Sequence, residues 1–351
     1  MTRATAEIPQ DSRVVTLRVA AVIEETADAR SLVFEVPDHA ADRFAYRPGQ
    51  FLTLRIPTDR ETPVARCYSL ASSPFTGEPP RVTVKRTDGG YGSNWLCDNI
   101  RAGDTVDVLP PQGTFTPASL DTDLLLWAAG SGITPVMSIL RSVLANGAGR
   151  VVLFYANRGQ DSVIFADALR ELVARYPGRL RVTHWLESLQ GLPSADQLAG
   201  FAAPHTGFES FVCGPGPFMA AVTEALTGAG WSRDRITTEV FVSLSGDPFA
   251  EPEPLDTAEA GDAAEVTVEL DGAEHALRWP RSRTLVDVLL ADGLDVPYSC
   301  REGECGSCAC TVVDGAVAVA KSGVLDQDDI DAGYTLACQA RPDSDSIRIR
   351  F

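Results

Sequence analysis

The sequence predicts three domains in series: an antiparallel β-barrel, a doubly wound α/β domain and a small α+β module. Three observations carry that prediction. The hydrophobic rhythm changes near residue 116, from short alternating β-branched runs to strand-like runs separated by helical periods. A stretch rich in Pro, Asp, Glu and Ala, SLSGDPFAEPEPLDTAEAGDAAE (243–265), then breaks the pattern. Beyond it, four of the chain's eight cysteines fall within CREGECGSCAC (300–310). A length of 351 residues suits two or three domains, each large enough for its own core.

The barrel is assigned to residues 10–116. Its runs are VVTLRVAAVI, SLVFEV, FLTLRI, VARCYSL, RVTVKR and TVDVL, punctuated by Pro48-Gly49, Pro79-Pro80, Gly89-Gly90 and Pro110-Pro111. Many short strands with turn signals suggest closure into a barrel. Residues 117–242 alternate between the two periods: LLLWAAG, RVVLFYA, LRVTHWL, ESFVCG and ITTEVF read as strands, and TPVMSILRSVLAN, DALRELVARY and PFMAAVTEALTGAG as helices. That order gives a parallel, doubly wound sheet. Residues 243–264 have little to bury and read as a flexible acidic linker. In 265–351, EVTVELDG and EHALRW form a hairpin, TLVDVLLADG a short helix, and SIRIRF a closing strand after the cysteine loop.

Bulk composition excludes some roles. The hydrophobic fraction of 44% and charged fraction of 22% are those of a soluble globular protein. The longest apolar run, Leu124 to Gly130, is far short of the ~20 residues that span a bilayer. The opening MTRATAEIPQDSR has no signal-peptide core, so a cytoplasmic location is expected, and there disulfides are disfavoured. A net charge of −18 argues against nucleic acid. Residues 265–351 carry 8 basic and 16 acidic residues, and 247–264 carry six acidic and none basic. The last quarter is thus an acidic module behind an acidic tether. A solvated surface explains that charge as well as a docking face does.

Cys300, Cys305 and Cys308 are spaced C-x4-C-x2-C, and Cys338 follows after 29 intervening residues. Gly303 and Gly306 let the backbone approach inorganic sulfide. This is the plant-type [2Fe–2S] spacing, with the fourth thiolate from a distant strand. Zinc sites prefer paired C-x2-C knuckles, and only one such pair is present. Buried reduced thiols would explain one or two cysteines, not this array. Cys310 is surplus and reads as a packed small residue.

A one-electron cluster needs an electron source upstream. RCYS supplies Arg66 for a pyrophosphate, Tyr68 to stack on a flat ring and Ser69 to hydrogen-bond a flavin nitrogen. GYGSNWL, with Gly90, Ser93 and Leu96, reads as a helix start whose free N–H groups meet the same pyrophosphate. Each motif alone is weak; together on one barrel they favour FAD. GSGITP (130–135) and CGPGPFM (213–219) each follow a strand and open a helix. A tight Gly/Pro turn explains either one alone, but their placement in one sheet points to a dinucleotide.

With RCYSLASSP, VKRTDGGYGSNWLCD, AAGSGITPVMSIL, HWLESLQGLPSA and CGPGPFM in view, the chain resembles the ferredoxin–NADP reductase superfamily in its three-part oxygenase-reductase form. The likeness covers nearly all of residues 13–351. Within the superfamily it is strongest to reductase components of 3-ketosteroid 9α-hydroxylases, with phenylacetyl-CoA epoxidase reductases next. It implies a FAD barrel, an NAD-binding domain and a β-grasp ferredoxin domain. It adds Lys85, Gly92 and Asn157 to the cofactor-binding set and places Gly130, Gly132, Thr134 and Pro135 along the dinucleotide. It sets Cys213 and Gly214 beside the reacting nicotinamide carbon, so Ser69 and Cys213 become the candidate catalytic pair. Arg158 is placed to accept a 2′-phosphate, whereas the resemblance implies NADH; no acidic residue ends its strand, so the residues admit both. Phe241 resembles an aromatic that covers flavin, and equally fits the core of the last strand. The implied function is electron transfer from NADH through FAD and [2Fe–2S] to a terminal oxygenase, by resemblance a Rieske-type steroid hydroxylase docking at the acidic module. A diiron epoxidase or other hydroxylase would use the same modules. A redox-sensing regulator would need a signalling module, for which no residues remain.

Overall fold

The alternating runs of the first hundred residues form a six-stranded sheet. In the computed structural model, which describes residues 13–59, 64–250, 262–320 and 322–351, its strands are β1 (Val15–Thr26), β2 (Ala29–Glu35), β3 (Phe51–Ile56), β4 (Val64–Ser69), β5 (Arg81–Lys85) and β6 (Thr105–Gln112). They lie in the order β4-β3-β6-β1-β2-β5, and β1 pairs antiparallel with both β2 and β6. Val15, Leu17 and Val19 point inward while Thr16 and Arg18 face out, the period of a half-buried strand. The two edges meet. Leu70 bridges to Val82, and the Ala71 N–H donates to the Arg81 carbonyl at 2.7 Å, closing the sheet into a barrel. Between β5 and β6 lies helix α1 (Tyr91–Asn99).

One expectation fails locally. Pro110-Pro111 lie inside β6 instead of ending it. The ladder with β1 covers only Thr105–Val108, so the prolines remove no hydrogen bond from it.

The next segment gives β7 (Leu124–Ala129), α2 (Ile133–Asn146), β8 (Val151–Asn157), α3 (Ala166–Arg175), β9 (Leu180–Leu186), α4 (Glu187–Gln190), α5 (Ala195–Ala202), β10 (Glu209–Cys213), α6 (Gly216–Gly228) and β11 (Ile236–Glu239). Its sheet is parallel, in the order β11-β10-β7-β8-β9. Helices cover both faces, so β7 is buried throughout: Leu124, Leu126 and Ala128 enter one core, Leu125 and Trp127 the other. Helix α5 was missed in the sequence, although Ser194 and Gln197 form its capping box.

A polar seam joins α2 to the barrel. Ser138 Oγ donates to the Ser72 carbonyl at 2.7 Å, and Ser73 Oγ and Ser142 Oγ are 2.8 Å apart. Arg141 grips both oxygens of Glu78, at 3.0 and 2.9 Å. Burial would raise the Glu78 pKa, but Arg141, the Ser73 N–H and Thr76 outweigh it and hold the carboxyl below its ordinary value.

A second compact unit comprises Leu244–Phe351 with the short stretches 57–65 and 112–114. After β12 (Ala263–Leu270) and β13 (Ala273–Pro280) come α7 (Leu285–Ala291), β14 (Ala309–Asp314), β15 (Val317–Val319), α8 (Gln327–Asp331), β16 (Tyr334–Leu336), β17 (Ala340–Pro342) and β18 (Ser346–Arg350). The main sheet runs β13-β12-β18-β14-β16, with β12 and β18 parallel. Trp279 and Leu285 are fully buried in its core. The start of the expected linker is built into this unit: Leu244 and Phe249 are buried, and Glu302 accepts from the Ser245 and Gly246 N–H groups. The rest of that linker, 251–261, lies outside the described residues.

Candidate functional site

In the parallel sheet, chain order reverses between β7 and β10, which is where such folds open a crevice at the strand C-termini. GSGITP turns there as Gly130–Gly132 leads into α2. Gly132 sits so close to β10 that a Cβ on it would stand 2.1 Å from the Cys213 carbonyl oxygen. Only glycine allows that approach. Thr134 is buried, and its hydroxyl donates to the Ser131 carbonyl at 3.0 Å; Pro135 is buried next to it. Cys213 ends β10 fully buried, with Gly214 packed on Ala129.

The barrel contributes from the other side. Arg66, Tyr68 and Ser69 lie on β4, and Gly90, Gly92 and Ser93 begin α1. These two motifs converge: a Cβ on Gly92 would lie 3.0 Å from Arg66 Cγ and 3.8 Å from Tyr68 Oη. Ser93 Oγ accepts from the Thr87 N–H at 3.0 Å, which fixes the turn into the helix. Burial pushes the Tyr68 phenol well above its ordinary pKa, so it stays neutral.

Ser69 joins the halves. Its Oγ donates to Glu239 Oε2 at 3.0 Å. Glu239 ends β11 and pairs in register with Cys213. Burial pushes the Glu239 carboxyl up to about 8, against the lowering effect of Ser69. Burial, then Glu239, raises the Cys213 thiol well above its ordinary value. Both groups therefore hold their protons near neutral pH. Glu239 was missed in the sequence: it stood in EVF beside Phe241, and only the contact with Ser69 identifies it. Phe241 is 48% exposed, so the core reading of that ring falls.

At the end of β8, Asn157 is 7% exposed. It lies near the Tyr155 hydroxyl, yet neither atom of its amide is in hydrogen-bonding geometry with a protein group. Two such buried atoms beside a glycine-lined turn fit a nucleotide site. Arg158 extends to Asp28, at 3.0 Å, and Lys85 Nζ stands 3.8 Å from the same carboxylate.

In the second unit, the thiols of Cys300, Cys305, Cys308 and Cys338 form a run of contacts: Cys305 to Cys300, Cys300 to Cys338, Cys338 to Cys308. The Glu302 N–H points at Cys300 Sγ (3.3 Å) and the Cys338 N–H at Cys308 Sγ (3.5 Å). Gly303 and Gly306 hold φ values of 77° and 70°, which the reversing loop requires. Among the described residues no three His, Cys, Asp or Glu converge on a single metal ion. Four thiols brought together from a C-x4-C-x2-C loop and a distant segment fit a plant-type two-iron cluster. Cys310 stands apart, buried in β14.

Three family models match along the chain. Residues 16–116 match the oxidoreductase FAD-binding domain, 126–224 the oxidoreductase NAD-binding domain, and 268–343 the 2Fe-2S iron-sulfur cluster binding domain. The chain is 64% identical to the ferredoxin reductase component of 3-ketosteroid-9-alpha-monooxygenase from Rhodococcus rhodochrous, over 99% of both chains. It is 34% identical to one of the subunits of the Escherichia coli 1,2-phenylacetyl-CoA epoxidase, over 95% of this chain and 97% of that one. Its fold matches phthalate dioxygenase reductase with a TM-score of 0.56 at 24% identity, covering 96% and 98% of the two chains.

Proposed function

Because the chain belongs to the three-domain FAD, NAD and [2Fe–2S] reductases that include the ferredoxin reductase component of 3-ketosteroid-9-alpha-monooxygenase, we propose that it is the electron supplier of such a steroid hydroxylase, with NADH as donor. The observation that carries the chemistry is the contact from Ser69 on the barrel to Glu239 beside Cys213 on the parallel sheet. It joins a flavin side and a nicotinamide side in one site. The bound groups would supply hydride acceptance at FAD and single-electron release through [2Fe–2S].

The chain's residues prepare that chemistry. Arg66 and the α1 N-terminus at Gly90, Gly92 and Ser93 are assigned to the FAD pyrophosphate, Tyr68 and Phe241 to the ring system. Gly130, Gly132, Thr134 and Pro135 shape the dinucleotide turn, and Lys85, Asn157 and Arg158 line its adenosine side. The Glu239 carboxyl, whose Oε2 accepts from Ser69 Oγ, holds a proton next to the reacting ring. The neutral Cys213 thiol fills space without adding charge and keeps water out. Cys300, Cys305, Cys308 and Cys338 are assigned as the iron ligands, and the acidic face of the second unit as the oxygenase-docking surface. Identity of 64% against 34% favours the steroid system over the epoxidase. No helix among the described residues is long and apolar enough to cross a membrane, which accords with a cytoplasmic location.

The test is reconstitution. NADH-driven hydroxylation of a 3-ketosteroid by a purified Rieske oxygenase should require this protein carrying FAD and iron. Support for only an epoxidase would overturn the substrate assignment, and zinc in place of iron would overturn the cluster.

A further inference from the structure

Three charges of mixed sign meet where the first barrel hairpin faces the end of β8. Asp28 sits in the turn between β1 and β2. Its Oδ1 accepts from Thr26 Oγ1 at 2.7 Å, which anchors the carboxylate. Its Oδ2 faces Arg158 at 3.0 Å and Lys85 Nζ at 3.8 Å. Lys85 also borders the nucleotide turn, since a Cβ on Gly130 would stand 3.6 Å from its Nζ.

The sheet order says what part of a dinucleotide arrives here. β10 and β8 flank β7 on opposite sides. With the pyrophosphate at the start of α2 and the nicotinamide turned toward Cys213 on β10, the adenosine half must extend over β8. Arg158 is the first residue beyond β8, so it meets the ribose and whatever the ribose carries.

We propose that Asp28 is a specificity-determining residue: by occupying Arg158 and placing its own carboxylate beside the ribose, it selects NADH and turns away NADPH. This rests on the reading that the dinucleotide spans the crevice between β7 and β10. A 2′-phosphate carries roughly −1.5 to −2 charge near neutral pH and would find both cations, Arg158 and Lys85, already facing a fixed carboxylate that repels it. A 2′-hydroxyl is neutral and meets no such repulsion. Arg158 is mostly exposed and could swing away, but Asp28 is tied to Thr26 and stays. The discrimination therefore comes from a residue of the barrel, not from the nucleotide domain.

The experiment uses the full-length protein loaded with flavin and cluster, and two redox-inactive probes that differ only in the 2′-phosphate. ADP-ribose and 2′-phospho-ADP-ribose are titrated by calorimetry against wild type, Asp28→Asn, Arg158→Gln and the double variant. Asp28→Asn should tighten 2′-phospho-ADP-ribose about five- to tenfold, the effect of one charge at a partly exposed site, and change ADP-ribose less than about twofold. The gain should vanish in the double variant, as a mutant cycle requires if Arg158 is the released cation. Arg158→Gln alone should barely change the preference. An unchanged preference in Asp28→Asn overturns the proposal, as does a tenfold loss of 2′-phospho-ADP-ribose binding in Arg158→Gln alone. If ADP-ribose binds but does not compete with NADH, the crevice reading itself fails, and the proposal with it.

Discussion

Replacing Ser69 by alanine should shift the pH dependence of hydride uptake upward. The Glu239 carboxyl sits at about 8 because burial opposes ionisation, and Ser69 holds it down by donating to Oε2 at 3.0 Å. A hydrogen bond to a charged group is worth about 1.5–3 kcal/mol, and Glu239 is partly open to solvent, so the low end applies. At 1.36 kcal/mol per pH unit, losing it moves the ionisation up by about one unit. Hydride uptake adds negative charge to the flavin ring, and an ionised Glu239 beside it would oppose that charge, so the rate should fall as pH rises through the ionisation. Stopped-flow measurement across about pH 6 to 10 should find the fall near 8 in wild type, near 9 in Ser69→Ala, and absent in Glu239→Gln. The same group affects stability. Its folded value lies above the ordinary 4.5, so the folded unit gains from the proton below about 4.5 and loses that gain as pH rises toward 8. Glu239→Gln should flatten the decline in melting temperature over that window. A fall that stays at 8 in Ser69→Ala, or persists in Glu239→Gln, would refute the reasoning.

Other outcomes follow from the geometry. Cys310→Ser should keep the visible and EPR signals of the cluster, whereas Cys305→Ser should lose them. Gly132→Ala should destabilise the crevice by about 2 kcal/mol or more and raise the KM for NADH, because its Cβ would overlap the Cys213 carbonyl; melting and steady-state kinetics report both. A chain ending at Ser243 should still reduce ferricyanide with NADH but fail to drive the oxygenase. Added salt should slow oxygenase coupling of the intact chain far more than its ferricyanide reaction, since screening acts on the acidic face.

Much of this was legible in the residues because the signals were local. LRVTHWL is a strand over the same span, Leu180–Leu186, that its composition predicts. The four cysteines proposed as cluster ligands stand out by their spacing. Contacts between distant segments were not legible. Glu239 lies 170 residues from Ser69, and nothing in EVF marks it as a partner of RCYS. Asp28 was equally silent, since an acidic residue in a hairpin turn is ordinary until a cation from another domain lands on it. Leu244 and Phe249 were hidden by the polar residues around them, which made the segment read as free tether.

The seam along α2 has a consequence for how the crevice works. Ser138, Arg141 and Ser142 stand at the spacing that puts them on one side of the helix, and each meets a different barrel group. Apolar surfaces can slide over one another; hydrogen bonds have directions and cannot. Three such points act like the feet of a tripod and together block sliding, rolling and tilting. The helix proposed to cradle the nucleotide is thereby held to the barrel at three points, which resists a change in the width of the crevice. Weakening a foot, as in Ser142→Ala, should leave the protein folded but blur the gap the hydride crosses, so a lesion remote from the reacting atoms would look kinetically like a fault in the chemistry.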